Sequence, residues 1–405
     1  MKLSRRVQQI EPSLTVAIDT RAKALKAEGA DIVSLGAGEP DFDTPGPIED
    51  AAVEAIRAHK TRYVAPDGIL PLKKAICAKL GRENGLRYEP DQIVVTSGAK
   101  HAVNNAVAAL VDPGDRAIVL APHWVTYPAL VKLYGGEPVV VRTSPGNGFH
   151  PVAADIERAC GEGAKLLVLN SPCNPSGAVY TRDELRAVAE LCVRRDLAVI
   201  SDEIYEHLVY DGAEHVSIAS FPGMAERTVV VNGVSKAYAM TGWRIGYTAS
   251  PRELARAMAR LQGQTTHHPA TPCQHAALAA LEGGLEPVER MRRAFERRRG
   301  LFVSELRAIP GLAVPEPEGA FYVFADVSKW TSAPDLPRRL GSSSDSGSVA
   351  LCEWLLEHER LAVVPGAAFG VEHRIRFSYA ASEETLLEAA QRLRRGLAAV
   401  DGILR

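Results

Sequence analysis

The chain has 405 residues, of which 46% are hydrophobic and 24% are charged, and its formal net charge is −2. This composition is that of an ordinary globular protein, and the balanced charge gives no reason to expect binding to nucleic acid or to an anionic membrane. The amino terminus carries charge without an apolar core, and no later apolar run approaches the length of a membrane span. We predict a cytoplasmic protein of two or three domains.

Cysteine and histidine are spread along the chain without the spacing of a disulfide framework or a metal site. The six cysteines form no close pair. The one adjacent histidine pair, His267 and His268, lacks the helical spacing that metal-binding histidines use. We therefore predict reduced thiols and no metal.

Short apolar runs alternate with helical patterns through most of the chain. The predicted helices are 13–29, 47–59, 70–84, 182–195 and 285–306. The predicted strands are 32–35, 92–96, 117–120, 165–169, 198–200, 228–231, 320–324 and 376–379. Continuous apolar strands between helices indicate a mostly parallel sheet that is covered on both faces. The Gly- and Ser-rich segment 330–349 is predicted to be a mobile loop.

Ligands of such sheets bind beyond the carboxyl ends of the strands. The side chains that follow strand ends here are Trp124, Asn174, Asp202, Tyr205 and Lys236. A lone lysine after a strand is most often a solvated loop residue, but the set as a whole has a specific chemistry. It offers a lysine for a Schiff base, a carboxylate for a pyridine nitrogen, an aromatic ring for stacking and donors for a phenolic oxygen. These are the needs of pyridoxal 5'-phosphate (PLP).

Two loops with small residues could bring bare backbone close to a ligand. The strand 92–96 runs through Ser97 and Gly98 into a helix, and an uncapped helix amino terminus offers N–H groups and a positive dipole end to a phosphate. The loop after the first strand contains Gly36 and Gly38, which is weaker evidence because Gly38 could be only a turn residue.

Five motifs in colinear order resemble the class I, fold-type I aminotransferases, and among them most closely the bacterial aspartate and prephenate aminotransferases. They are Leu35–Phe42, Asn170–Gly177, Ser201–Leu208, Ser235–Gly246 and Arg376–Ala380. The resemblance extends from about residue 10 to the carboxyl terminus. It implies an α/β fold of the fold-type I class, with a mostly parallel central sheet, helices on both faces and a smaller α+β domain. We predict a large PLP-binding domain at 46–289 and a discontinuous small domain at 1–45 and 290–405.

The resemblance also implies a role for each residue around the cofactor ring. Lys236 would form the Schiff base and later move protons between the substrate Cα and the cofactor. Asp202 would pair with the pyridine nitrogen, and Tyr205 and Asn174 would bond the phenolic oxygen. Trp124 would stack on the ring and border the substrate.

Around the phosphate, the resemblance implies contacts from two subunits. The backbone of Gly98, Ala99 and Lys100 would hold the phosphate together with Arg244. Tyr63 would reach the same phosphate from a second subunit, although Tyr63 could instead simply pack at a domain edge. A shared site of this kind requires a homodimer.

The reaction that the resemblance implies is amino-group transfer between an amino acid and a 2-oxo acid, in a ping-pong cycle. Arg376, Asn174 and the Gly38 amide would hold the substrate α-carboxylate. An alternative keeps the same lysine and cofactor but catalyses elimination or replacement in specialised biosynthesis.

The chain departs from the family at several positions near the expected substrate site. Glu11 stands where the family usually has a basic residue that helps to hold a distal carboxylate. His123, His101, His267 and His268 also replace the family's usual residues. Because Glu11 should repel a dicarboxylate, we predict that aspartate is not the preferred amino donor.

Overall fold

The computed structural model describes residues 3–8, 10, 14–161 and 163–405. The strands are β1 Val33–Ser34, β2 Ile93–Thr96, β3 Arg116–Ala121, β4 Glu137–Arg142, β5 Ala164–Asn170, β6 Ala198–Asp202, β7 Thr228–Gly233, β8 Gly246–Ala249, β9 Tyr322–Asp326, β10 Leu361–Ala362, β11 Val364–Pro365 and β12 Arg374–Ser378. The helices are α1 Arg5–Gln8, α2 Leu14–Ala27, α3 Gly46–Arg57, α4 Leu70–Asn84, α5 Ala99–Leu110, α6 Thr126–Leu133, α7 Ala153–Cys160, α8 Arg182–Arg194, α9 Arg252–Thr265, α10 Thr271–Glu282, α11 Glu286–Arg307, α12 Ser328–Thr331, α13 Leu336–Arg339, α14 Gly347–Glu359 and α15 Glu383–Leu404.

In the described part of the chain, seven strands form the central sheet in the order β2-β8-β7-β6-β5-β3-β4. Strands β3 to β7 pair in parallel, and β8 runs antiparallel to both of its neighbours. Alternate residues of β3 enter different cores: Ile118 and Leu120 pack on one side of the sheet, Ala117 and Val119 on the other. The prediction of a mostly parallel sheet that is covered on both faces is therefore confirmed.

Two strands of this sheet were not predicted. The edge strand β4 is half-exposed and contains Pro138, which an edge tolerates because one side of the strand needs no ladder hydrogen bond. Strand β8 is short and begins at Gly246, where a Cβ atom would lie 2.4 Å from the backbone nitrogen of Ala99. Glycine weakens the strand pattern at that position, but only glycine lets β8 pass so close to the start of α5.

A second, smaller set of elements surrounds its own core. Strands β11, β12 and β9 form an antiparallel sheet, and β1 pairs with β10 in parallel. Helices α11, α14 and α15 pack there around buried side chains such as Phe302, Leu355 and Leu393. These elements are the predicted smaller α+β portion, and the boundaries proposed for it, 1–45 and 290–405, stay a prediction.

The prediction of a structureless segment at 330–349 is wrong in part. Helix α12 reaches into it, α13 lies within it and α14 begins at Gly347. Trp330 and Leu336 are buried there and join the core of the smaller unit. The Gly- and Ser-rich composition of the segment outweighed these two apolar residues in the sequence pattern.

The long charged helix predicted at 285–306 is confirmed as α11, whose buried face includes Phe295 and Phe302.

His150 joins the sheet-bearing part of the chain to the segment that leads into β9. Its Nδ1 lies 2.9 Å from Glu184 at the start of α8, and its Nε2 lies 3.1 Å from Glu318. The hydrogen bond with Glu318, assisted by Glu184 and opposed by burial, raises the pKa of His150 to about 9. A histidine of raised pKa contributes stability that is complete below its unfolded pKa and disappears as pH rises through the folded value.

We expect His150→Gln to lower the free energy of unfolding by about 1–2 kcal/mol near pH 6 and by much less near pH 9.5. Thermal unfolding at both pH values, with the exposed His59→Gln as a matched control, measures the difference. An equal loss at both pH values would show that the charge on His150 contributes nothing.

Candidate active site

A cavity of about 430 Å³ lies at the carboxyl ends of β5, β6 and β7, between the loop after β1 and the start of α5. Of the residues predicted for the site, those that line this cavity are Gly38, Ala99, Lys100, Trp124, Asn174, Asp202, Tyr205, Lys236, Arg244 and Arg376. Neighbouring parallel strands bring their ends together, and the register sets Asn170 at the end of β5 opposite Asp202 at the end of β6. Residues far apart in the chain therefore share one cavity.

Lys236 follows β7 and has a depressed basicity. Its Nζ donates a 2.5 Å hydrogen bond to the Gly38 carbonyl and lies 5.9 Å from the centre of the Tyr205 ring. Burial is the main cause that lowers the pKa of Lys236 to about 8, since water no longer stabilises the ammonium form. The lowered pKa increases the fraction of this amine that is uncharged near neutral pH, and the uncharged form can act as a nucleophile or a base.

Asp202 lies at the floor of the cavity and is only 3% exposed. One carboxylate oxygen accepts a 2.8 Å hydrogen bond from the Tyr127 hydroxyl, and the other accepts from the Ile204 amide at 3.3 Å. Burial raises the pKa of Asp202 to about 6 despite these donors. A buried carboxylate of this kind is stabilised by a cationic partner, so it is suited to hold a proton on a bound heterocycle.

Arg376 is a buried cation whose donors are only partly used by the protein. Its Nη1 donates to Asn174 Oδ1 at 2.9 Å, its Nη2 donates to the Gly36 carbonyl at 2.7 Å, and its guanidinium lies 4.5 Å from the centre of the Tyr322 ring. Within the described part of the chain its Nε has no hydrogen-bond partner. Neither Asn174 nor Gly36 neutralises the charge, which leaves Arg376 suited to a carboxylate ligand.

The hydroxyl of Tyr205 is placed by a second tyrosine that sequence reasoning missed. The Tyr205 hydroxyl lies 2.7 Å from the hydroxyl of Tyr322, and Tyr322 is fully buried at the start of β9. The Tyr322 hydroxyl would also lie 3.1 Å from a Cβ atom at Gly38, so glycine fits where a side chain would crowd this group. Tyr322 thus lies next to Tyr205, Arg376 and Gly38 at the same time.

A turn that is suited to an anion lies at the opposite end of the cavity. Helix α5 begins after Gly98 without a side-chain cap, so its first N–H groups have no acceptor within the helix. Gly98 has φ 84°, and a Cβ atom there would lie 2.4 Å from Arg244 Nη2. Arg244 is oriented by the carbonyls of Thr241 at 2.8 Å and Ser97 at 3.4 Å. Backbone donors, the helix dipole and a guanidinium therefore converge on one point.

Trp124 and Lys100 form the rim between that turn and Asp202. The Lys100 ammonium lies 5.0 Å from the centre of the Trp124 ring, and Trp124 meets Tyr127 edge-on at 5.4 Å. Burial, followed by the nearby Arg244, lowers the pKa of Lys100. In the described residues no carboxylate forms an ion pair with Lys100, so its charge is available to a ligand.

Tyr63 does not line the cavity of its own chain. Its side chain is 86% exposed and lies against His267. An exposed position agrees with a residue that projects toward a second subunit, and the shared site stays a prediction.

Sequence reasoning missed several residues of the cavity, which are Thr15, Val16, Asp19, Lys23, Glu39, Tyr127, Asn170, Ile204, Tyr322 and Phe369. Tyr127 stands three residues after Trp124, near the start of α6, and this closeness in the chain could have indicated it. Helix α2 contributes four of these residues, Thr15, Val16, Asp19 and Lys23. Its helical pattern predicts a helix but does not indicate that the helix packs over this cavity. Glu11 lies outside the described residues.

Two clusters of acidic residues and histidine lie near one another, one formed by Glu83, Glu206 and His207 and the other by Glu203, Glu206 and His215. Glu206 is bonded within the protein by Lys79, Asn84 and Asn232. Its charge is therefore balanced internally, and the absence of a metal stays a prediction.

In the stretches that the structure covers, no helix is both long enough and apolar enough to cross a membrane.

The donor set fits a phosphorylated pyridine aldehyde such as PLP. Asp202 suits the ring nitrogen, Lys236 suits the aldehyde, and the turn at Gly98 with Arg244 suits the phosphate. The fold and the donor set of the cavity are those of an α/β protein suited to amine–carbonyl chemistry.

Comparison with known proteins agrees with this class. The family model for aminotransferase class I and II matches residues 30–393. An aspartate/prephenate aminotransferase of Cereibacter sphaeroides is 46% identical over 393 residues, covering 96% of this chain and 97% of that protein. An aspartate aminotransferase of Geobacillus stearothermophilus is 43% identical over 396 residues, covering 98% of each. The solved Thermus thermophilus aspartate aminotransferase with maleate has a TM-score of 0.90 at 46% identity and covers 98% of this chain and 100% of that one.

The chain belongs to the class I and II aminotransferase family. It is a PLP-dependent aminotransferase, which moves an amino group between an amino acid and a 2-oxo acid. The predicted family, fold class and activity are thereby confirmed, and no observation favours the alternative of elimination or replacement.

Proposed function

We propose that Lys236 binds PLP covalently and is the base of a ping-pong transamination. The observation that carries this proposal is the meeting of two oppositely perturbed groups in one cavity: Lys236, whose pKa falls to about 8, and Asp202, whose pKa rises to about 6. Pairs of titratable groups whose surroundings change their pKa values are typical of acid–base catalysis.

The roles follow from what each side chain can donate or accept. When bound, PLP supplies an aldehyde that takes up the amino group and a ring that withdraws electrons from the substrate Cα. Asp202 holds the proton on the ring nitrogen, and Tyr205 and Asn174 hydrogen-bond the phenolic oxygen. Trp124 stacks on the ring, and Lys236 removes the proton from the substrate Cα.

The phosphate lies at the turn formed by Gly98, Ala99 and Lys100, where Arg244 supplies the positive charge. Tyr63 completes this site from a second subunit, so the active enzyme is a homodimer. Support comes from the uncapped start of α5 and from the exposure of Tyr63 on its own chain. The cytoplasmic location that the composition predicts stays a prediction.

The substrate α-carboxylate lies against Arg376, Asn174 and Gly38. A bidentate pair with Arg376 suits the planar carboxylate that every amino acid and 2-oxo acid carries, which is why one site accepts both halves of the reaction. Arg376 is 4% exposed, and exclusion of water strengthens its attraction for the carboxylate.

A half-reaction distinguishes transamination from the alternative chemistry. Mixing the enzyme with an amino acid alone should change the cofactor absorbance and release one equivalent of 2-oxo acid per site, with no further turnover until a second 2-oxo acid is added. Continuous release of ammonia without an added 2-oxo acid would contradict the proposal and favour elimination.

Lys100 is the group that we expect to meet the substrate side chain, because it lines the cavity and has no acidic ion-pair partner among the residues that the structure covers. A carboxylate would pair with it, and the related Thermus thermophilus enzyme was solved with maleate, a dicarboxylate. Asp19 and Lys23 of α2 also line the cavity but pair with each other at 2.7 Å. We propose that Lys100 attracts an anionic side chain and that Glu11 opposes it.

We expect aspartate not to be the preferred amino donor, and we expect Glu11→Lys to raise kcat/KM for aspartate by about tenfold or more. Each reversed charge contact of a partly solvated ion is worth on the order of 1 kcal/mol. The measurement is a panel of aspartate, glutamate, aromatic and basic amino acids with both enzymes, and Glu28→Lys, at an exposed position just after α2, is the matched control. If aspartate leads the panel and Glu11→Lys changes nothing, the charge argument is wrong.

A further inference from the structure

Tyr63 is an exposed ring whose orientation is nonetheless fixed by two histidines. Its ring stacks on His267 with centroids 5.3 Å apart and planes 16° apart, and it meets His268 edge-on at 5.8 Å. The two imidazoles also meet each other edge-on at 5.0 Å. One face of Tyr63 is therefore held before any partner covers the other face, which reduces the entropy lost when the hydroxyl binds a ligand.

His268 also holds the backbone that carries Tyr63. The amide of Val64 donates to His268 Nε2 at 3.2 Å, while His268 Nδ1 lies 2.7 Å from the carbonyl of Pro269. A carbonyl only accepts, so the proton is on Nδ1 and Nε2 is the acceptor. The two hydrogen bonds together require one neutral tautomer, and they fix the imidazole between Val64 and Pro269.

Further bonds tie the residues on either side of Tyr63 to the end of α9 and the start of α10. The Thr271 hydroxyl donates to the Arg62 carbonyl at 3.1 Å, and Gln262 donates to the Pro66 carbonyl at 2.6 Å. The loop at 62–66 is thus anchored at both ends, with His268 between the two anchors. Tyr63 projects from a rigid base.

That base is also joined to the phosphate turn of its own chain. His101, on the first turn of α5, accepts from the Ser97 amide at 3.2 Å through Nδ1, and its Nε2 lies 3.4 Å from the Thr266 hydroxyl. Thr266 precedes His267 directly in the chain. The residues that hold the phosphate of one site are therefore connected to the residues that orient Tyr63.

We propose that His267 and His268 are positioning residues that hold Tyr63 in the orientation in which it binds the cofactor phosphate of a second copy of this chain. The inference rests on the proposed shared site. His267 supplies the face on which the ring lies, and His268 supplies the acceptor that fixes the backbone at Val64. Both act through Tyr63, and neither of them lines the cavity of its own chain.

The test compares two ligands that differ only in the phosphate. Dissociation constants for PLP and for pyridoxal are measured by absorbance titration of the full-length dimer after removal of its cofactor. His267→Ala and His268→Ala should each weaken PLP binding by about fivefold to twentyfold, which corresponds to about 1–2 kcal/mol, and should change pyridoxal binding less than twofold. His267→Phe, which keeps a stacking face, and His268→Gln, which keeps an acceptor, should recover most of the loss.

Tyr63→Phe separates this inference from the proposed shared site. It keeps the ring and removes the hydroxyl, so it should weaken PLP binding selectively, and the histidine substitutions should add little in that background. If Tyr63→Phe leaves the ratio of PLP to pyridoxal binding unchanged, the shared phosphate site is wrong. If Tyr63→Phe changes that ratio and the histidine substitutions do not, or if they weaken both ligands equally, the positioning role is overturned.

Discussion

Lys236→Ala should lower kcat by about a thousandfold or more while the protein keeps its fold. Alanine supplies neither the amine that binds the cofactor nor the base that removes the proton from the substrate Cα, and a thousandfold loss corresponds to about 4 kcal/mol of transition-state stabilisation. Among the described residues the Lys236 side chain makes one hydrogen bond, to the Gly38 carbonyl, so its removal leaves the surrounding side chains in place. Single-turnover kinetics and circular dichroism of the purified variant measure both parts of the expectation.

Covalent attachment gives a direct readout of the same residue. Borohydride reduction of the wild-type enzyme, followed by peptide mapping, should place the phosphopyridoxyl mass on Lys236. Lys100→Ala is the matched control because Lys100 lines the same cavity, and this variant should keep the label. A label on Lys100, or on no lysine, would contradict the proposed site.

Asp202→Asn should lower kcat by about a hundredfold or more, with most of the fold and some cofactor binding retained. Asparagine has nearly the same shape, so the change removes the negative charge without opening a cavity. A neutral amide does not keep the cofactor ring protonated, and the ring then withdraws electrons poorly from the substrate Cα. The loss corresponds to about 2.7 kcal/mol. Turnover near that of the wild type would mean that the ring is activated by another group.

Tyr127→Phe is the matched control for Asp202. It removes the 2.8 Å hydrogen bond to the carboxylate but leaves the charge, so we expect less than a tenfold loss of kcat. The Tyr127 donor lowers the pKa of Asp202 by stabilising the ionised form. Without it the acid limb of the kcat–pH profile should move to higher pH, which a purely structural role of Tyr127 would not produce.

Local patterns determined the order of elements and the chemistry of the strand ends. Helix α4 was predicted with the bounds that the structure has, and Gly85 ends it in a left-handed conformation. The apolar runs of β5, β6 and β7 are buried on both faces, which is why they read as continuous. Asp202 and Lys236 could be proposed as partners because parallel strand ends meet at one edge of a sheet.

Local sequence patterns could not predict contacts between residues that are distant in the chain. Tyr322 lies 117 positions from Tyr205, yet their hydroxyls are 2.7 Å apart, because β9 belongs to a different sheet that packs over the cavity. Strand β8 was missed since its glycine is required by the nearby start of α5, which no local pattern reveals. The stacking of Tyr63 on His267 likewise depends on how the loop at 62–66 packs against the end of α9. Sequence periodicity reports which face of an element is buried, whereas the identity of the neighbour that covers it is decided by tertiary packing.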